Sequence, residues 1–99
     1  MPQFAVHQLR NRPGLVLDCQ TDLLTHIETR FVVPLVAREE APAPVRRLNP
    51  VFAIGGAEYV MLTQSAAAVR RSELGDEVAS LAGHRHQIIE ALDFLLTGV

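Results

Sequence analysis

The sequence predicts an α+β domain: about five short antiparallel strands in a strongly curved sheet, closed by one helix at the end of the chain. Three observations carry this. Short β-branched apolar runs recur along the first three quarters of the chain. Glycine-containing turns separate two pairs of those runs, and after His84 the apolar spacing becomes helical.

Phe4, Val6 and His7-Gln8-Leu9 read as a first strand, running into Arg10-Asn11-Arg12-Pro13-Gly14. Pro-Gly supplies the dihedrals of a tight turn, so Leu15 to Cys19 returns as the second strand of a hairpin. Thr21 to Thr29 carries no clear period. Phe31-Val32-Val33-Pro34-Leu35-Val36 is the strongest strand signal, but Pro34 cannot donate a ladder hydrogen bond. The strand is therefore expected to bend, bulge or lie at an edge there.

Arg38 to Asn49 is a polar excursion whose two prolines, Pro42 and Pro44, prevent a regular helix; a projecting loop or small edge ribbon is expected. Pro50–Ile54 and Glu58–Leu62 flank Gly55-Gly56-Ala57, and paired glycines between strands predict a hairpin with a primed turn. Thr63 to Ser72 predicts a further strand around Val69, although Ala66-Ala67-Ala68 favours helix over strand. Leu74-Gly75-Asp76-Glu77-Val78 is expected to turn the chain into the last helix. On that helix Ile88, Leu92, Leu95 and Val99, with Leu81 before them, form an apolar seam. His86, Glu90, Asp93 and Thr97 form a solvated row opposite. The chain stops at Thr97-Gly98-Val99 with no polar tail, which marks this tip as a candidate contact surface.

A chain of 99 residues with 48% hydrophobic residues supports one domain with one core. No apolar run reaches the roughly 18 residues that span a bilayer, and no secretory signal is visible, so a cytoplasmic protein with no membrane partner is expected. The single cysteine, Cys19, excludes an internal disulfide and reads as a buried, inert thiol. A net charge of −2 argues against direct nucleic-acid binding, with Arg46-Arg47 and Arg70-Arg71 as local basic pairs. His84 and His86 would diverge on a helix, and His7 and His26 stand alone, so no metal and no cofactor is expected. Ser65, Ser72 and Ser80 lack a nucleophile elbow, Gly55-Gly56 lacks the Lys-Ser/Thr of a phosphate loop, and Asp76-Glu77 suit a helix entry. Nothing in the residues argues for an enzyme. The strands carry more apolar surface than one small helix can cover, and a homodimer would bury the surplus.

Several strings, in order and over essentially the whole chain, resemble the CcdB family of bacterial toxins, the DNA gyrase inhibitors of type II toxin–antitoxin modules. They are Gln3-Phe4-x-Val6, Asp18-Cys19-Gln20-Thr21-Asp22, Val33-Pro34-Leu35, Asn49-Pro50-Val51-x-x-Ile54-Gly55 and Met61-Leu62-Thr63. Leu74-Gly75-Asp76-Glu77-Val78-Ala79-x-Leu81, Ile88 to Ala91 and Gly98-Val99 complete the set. The resemblance implies a small SH3-like barrel with a side ribbon from the Arg38–Asn49 excursion, one C-terminal helix and a symmetric homodimer. It also implies insertion into the gyrase A-subunit dimer, trapping the topoisomerase on cleaved DNA. Carried over by motif, the gyrase contacts would be Leu23, Leu24, Asp93, Leu96, Thr97, Gly98 and Val99. The interface between subunits is expected at Cys19, Gln20, Asp22, Met61 and Gly98. The disordered acidic tail of a cognate antitoxin is expected along the basic edges at Arg10, Asn11, Arg12, Arg46 and Arg47.

The chain departs from the family pattern at the tip, with Thr97 where a tryptophan is usual, Asp93 for asparagine and Leu96 for phenylalanine. Loss of a buried aromatic anchor commonly costs about 2 kcal/mol of binding, or roughly thirtyfold in affinity. Gly83 and His84 also replace an expected capping box, weakening the helix start. Two alternatives follow: a non-toxic decoy that still binds an antitoxin, and an endoribonuclease toxin on the same barrel using Arg70 or Arg71.

Overall fold

The computed structural model describes residues 2–99 and consists of a curled seven-stranded antiparallel sheet with one helix packed on it. The strands are β1 (Ala5–Leu9), β2 (Leu15–Asp18), β3 (Thr29–Ala37), β4 (Val51–Ile54), β5 (Ala57–Met61), β6 (Ala67–Arg70) and β7 (Leu74–Ser80), followed by the helix α1 (Arg85–Thr97). The sheet order is β4-β5-β3-β2-β1-β7, with β6 paired separately to β3. The predicted α+β class is therefore correct, and the strand count is higher than expected.

Both predicted hairpins form. Leu9 N–H donates to Gly14 O (3.1 Å) around a glycine at φ 127°. Gly55 and Gly56, at φ 60° and 85°, are the two central residues of a primed turn that joins Ile54 to Ala57.

Pro34 marks the point where β3 changes neighbours. Thr29–Val32 pair with β6, Leu35–Ala37 pair with β5, and β2 pairs with Val32–Leu35 on the other side, across the change. Leu62 N–H donates to Pro34 O at 2.9 Å, so the nitrogen that lacks a proton faces the same gap between β6 and β5. The missing donor costs no ladder bond there. Arg38 to Asn49 is an irregular loop with turns at 38–40 and 46–48, and the two-stranded ribbon at this end of the sheet is β4–β5 instead. Ala67 and Ala68 extend into β6 despite their helix propensity, because β3 offers a partner, while Ala66 closes the preceding 3₁₀ turn.

Leu74–Val78 was expected to turn and is instead most of β7, an edge strand on β1. The Gly-Asp pair that reads as a turn serves a close approach. A Cβ at Gly75 would sit 2.9 Å from Gln8 O, so only glycine lets β7 lie against β1 at this register.

The sheet buries two faces. Val6, Leu17, Val33 and Leu35 point toward α1 and pack with Phe4, Phe52, Met61, Leu81, Ile88 and Ala91. Val16, Val32 and Leu74 form a second cluster on the opposite face with Leu9 and Val69. The helix seam also differs from expectation. Leu81, Ile88 and Ala91 are buried and Leu92 is half-buried, whereas Leu95 and Val99 are 41% and 78% exposed. The buried positions follow i, i+3, i+4, and the final turn leaves the sheet before Leu95 could be covered. As expected, no side chain caps the helix start at His84; the end is closed by Gly98 at φ 74°, whose N–H donates to Phe94 O (2.9 Å).

One buried ion pair links the middle of the sheet. Arg30 Nε and Nη2 reach Asp18 Oδ2 at 2.9 and 2.8 Å, and both side chains are essentially inaccessible. Breaking such a pair leaves a lone buried charge, so Asp18→Ala should lower the unfolding free energy by about 3–5 kcal/mol. Replacing both partners, as Asp18→Leu with Arg30→Met, should recover most of it; urea unfolding of the three proteins measures the difference.

Candidate protein-binding site

The helix tip is the most exposed apolar feature of α1. Leu96 and Val99 are each 78% exposed, Asp93, Thr97 and Gly98 are exposed, and the left-handed Gly98 directs Val99 off the helix axis. Thr97 Oγ1 donates to Asp93 O (2.8 Å), which folds the short side chain back onto the preceding turn. The solvated row predicted at Asp93 and Thr97 is thus present beside the apolar pair.

Leu23 (85% exposed) and Leu24 (39%) lie in the 3₁₀ turn Asp22–Leu24. Thr21 caps this turn by accepting from Leu23 N–H, and Gln20 Nε2 donates to Leu24 O (3.3 Å). Gln3 ties the turn to the start of the helix. Its backbone N–H donates to Asp22 Oδ1 (2.8 Å), while its side-chain Oε1 accepts from Arg85 Nη1 (3.1 Å). The 13-residue helix then carries the tip about 20 Å onward. No hydrogen bond or ion pair among the described residues joins the Leu23–Leu24 turn to residues 93–99. The turn is thus tied to the start of α1, while the other expected gyrase contacts stand at its end.

The predicted basic edges are also separate. Arg10 is tied to β7, its backbone N–H donating to Glu73 O (2.9 Å) and its Nη2 to Leu74 O (3.2 Å). Arg12 is exposed at the mouth of a trough of about 730 Å³ lined by Leu9, Pro13, Leu15, Leu35, Val36 and Tyr59, with Glu40 on its rim. Arg46 and Arg47 lie elsewhere, and Arg47 stacks over the Phe94 ring with its guanidinium carbon 4.8 Å from the centroid. That stack brings the loop to the tip, and no sequence spacing announces it. Arg71 spans a different gap, donating from Nη2 to Thr25 O and to Ile27 O.

Of the residues expected between subunits, Gln20 is half-buried, and Asp22 and Gly98 are exposed. Met61 is fully buried in its own core, and Cys19 is 8% exposed. Both side chains pack within the chain's own core. Four exposed apolar residues, Leu23, Leu24, Ile27 and Phe31, occupy the neighbouring segment instead.

His7 is buried on β1, with Nδ1 3.1 Å from Gly75 O, and His84 packs against Phe52 with ring centroids 5.0 Å apart. Among the described residues no group of three or more His, Cys, Asp and Glu side chains could hold a metal ion. Among the described residues no helix is long and apolar enough to cross a membrane. Burial, with the Asp18 charge adding to it, pushes the Cys19 thiol up to about 12 from 9.0, the inert buried thiol that was expected. An unfolded chain would ionise this thiol near 9 while the native one keeps its proton. This group's contribution to stability is therefore constant below about pH 9 and lost as pH rises toward about 12. Urea midpoints at pH 7 and pH 10 should diverge more for the wild type than for Cys19→Ala.

A family model described as "CcdB protein" matches residues 3–98. Among solved structures, the chain is similar to an endoribonuclease in complex with its cognate antitoxin from a Mycobacterial species, with a TM-score of 0.79 at 15% sequence identity. The match covers 97% of this chain and 94% of that one. At that identity the likeness establishes the fold alone.

Proposed function

The chain belongs to the CcdB family, and we propose that it is the toxin of a toxin–antitoxin pair that inhibits DNA gyrase by binding its A subunit. The contacts are made by protein surface and not by catalysis. The observation that carries this reading is the helix end: Leu96 and Val99 stand out in solvent beside Asp93, Thr97 and Gly98, on a helix whose other face is anchored in the core. Adjoining exposed apolar side chains rimmed by polar groups suit a surface that a partner covers.

The protein acts in the cytoplasm as a homodimer, and duplication is what would allow the Leu23–Leu24 turn of one subunit to approach the tip of the other. Gln20, Asp22 and Gly98 lie on accessible or half-accessible surface suited to that contact. A cognate antitoxin with a disordered acidic tail binds the basic edges at Arg10, Asn11 and Arg12, and at Arg46 and Arg47. The apolar trough beside Arg12 supports this, since it would take apolar side chains of a tail whose carboxylates face the arginines.

One observation favours a second reading. With the Thr97 hydroxyl bonded back to Asp93 O, the tip lacks the large anchoring side chain that an inhibitor of this kind uses, which suits a decoy that binds antitoxin without toxicity. Growth arrest on expression in a bacterial host supports the toxin, and normal growth at good protein yield supports the decoy.

Purified protein is expected to inhibit gyrase supercoiling. Removal of Gly98-Val99, or Leu96→Ala, should weaken inhibition about tenfold or more while thermal unfolding stays unchanged. Full supercoiling at saturating protein would overturn the gyrase assignment.

A further inference from the structure

Arg47 sits where two independent constraints hold it against the tip. Its backbone adopts φ 70°, a left-handed conformation that costs a non-glycine residue about 1 kcal/mol or more. That conformation is kept by the buried Asn49 beside it. Asn49 Oδ1 accepts from Val45 N–H (3.0 Å), and Asn49 Nδ2 donates to Met61 O (3.0 Å) and Gln64 Oε1 (2.8 Å). Thr63 Oγ1 donates to Leu48 O (2.5 Å), so the loop is bonded to the 3₁₀ turn Thr63–Ser65. The second constraint is the Phe94 ring beneath the guanidinium, whose carbonyl accepts the Gly98 N–H that closes the helix.

Stacking uses the face of a guanidinium and leaves its N–H edge free. Arg47 is exposed, and among the described residues its guanidinium has neither a hydrogen bond nor an ion pair. The comparison is Arg38, also exposed, which meets Glu58 at 3.0 Å. A stacked arginine with open donors, on the Phe94 side of the same helix end that exposes Leu96 on its other side, is complementary to a carboxylate of a partner that receives that end.

We infer that Arg47 is a carboxylate receptor within the target-binding surface, so that the partner engaged by Leu96 and Val99 places an aspartate or glutamate against the Arg47 edge. This rests on the tip reading above and extends it, moving Arg47 from the antitoxin edge to the target contact and giving the target surface its chemistry.

The test is binding of purified gyrase A subunit by the full-length protein and by Arg47→Glu, Arg47→Lys, Phe94→Leu and Leu96→Ala, alongside growth arrest on expression. Arg47→Glu should weaken binding about tenfold or more and suppress growth arrest, with thermal unfolding little changed. Arg47→Lys should recover only part of it, because an ammonium neither stacks as well nor binds a carboxylate through two parallel bonds. Wild-type affinity should fall more steeply with added salt than that of Arg47→Glu. Phe94→Leu, which keeps the charge and removes the ring, guards against a folding defect at Arg47 and should also weaken binding. If Leu96→Ala loses binding while Arg47→Glu and Phe94→Leu keep it, the carboxylate receptor is refuted and the tip reading stands. Loss of antitoxin binding alone in Arg47→Glu refutes it equally. Wild-type affinity in Leu96→Ala, or no gyrase A binding by the unaltered chain, removes the tip reading and this inference with it.

Discussion

The Asp18–Arg30 pair is the interaction on which the rest of the sheet is arranged. It joins the end of β2 to the start of β3 at full burial, where an unmatched charge of either sign would be intolerable. The remaining carboxylate oxygen, Oδ1, accepts from Gln20 N–H (3.1 Å). Gln20 then places its amide between the two strands and the 3₁₀ turn, receiving Phe31 N–H at Oε1 (2.9 Å) and donating to Leu24 O. Asp18 O accepts the Phe4 N–H (2.6 Å), so the same residue also holds the entry to β1. The placement of Leu23 therefore depends on a buried charge five residues earlier, at the end of β2, as much as on the turn itself.

At the other end of the molecule the helix tip is set by different means. Ile88 and Ala91 anchor α1 to the main core, and nothing covers the last turn. The loop ending at Asn49 substitutes for the missing sheet, reaching Phe94 through Arg47. All nine basic residues of the chain are arginines, and beside the single bonds of Arg10 and Arg38 several make paired or stacked contacts: Arg30 on a carboxylate, Arg71 on two carbonyls, Arg47 and Arg85 on rings. Planar, multidentate contacts of that kind fix loops more firmly than a lysine would.

Much of this was legible from the residues because it depends on local chemistry. The primed glycine turn, the Pro-Gly hairpin, the strand through Val33 and the helix after His84 all follow from patterns shorter than ten residues. β7 was not legible, since Leu74-Gly75-Asp76 carries a turn's composition and its strand form depends on Gln8, a neighbour far away in sequence. The seam failed at Leu95 and Val99 for a related reason: helical period states which residues align, while the extent of the sheet decides which are covered. Of the candidate site, the exposed tip was visible in the sequence. The burial of Met61 and the Arg47–Phe94 stack were not, because each is settled by packing between elements distant along the chain.

The pairing of β1 with β7 has a consequence for biosynthesis. The first strand has β2 beside it at once, but its other edge stays open until Leu74–Ser80 has been made, and Leu81 N–H then closes on Phe4 O (2.8 Å). Such distant contacts form late and slowly. A nascent chain that ends before Leu74 therefore has a sheet in which one edge of the first strand is still unpaired. Until then β1 presents a row of unpaired backbone groups, an edge that another chain could join.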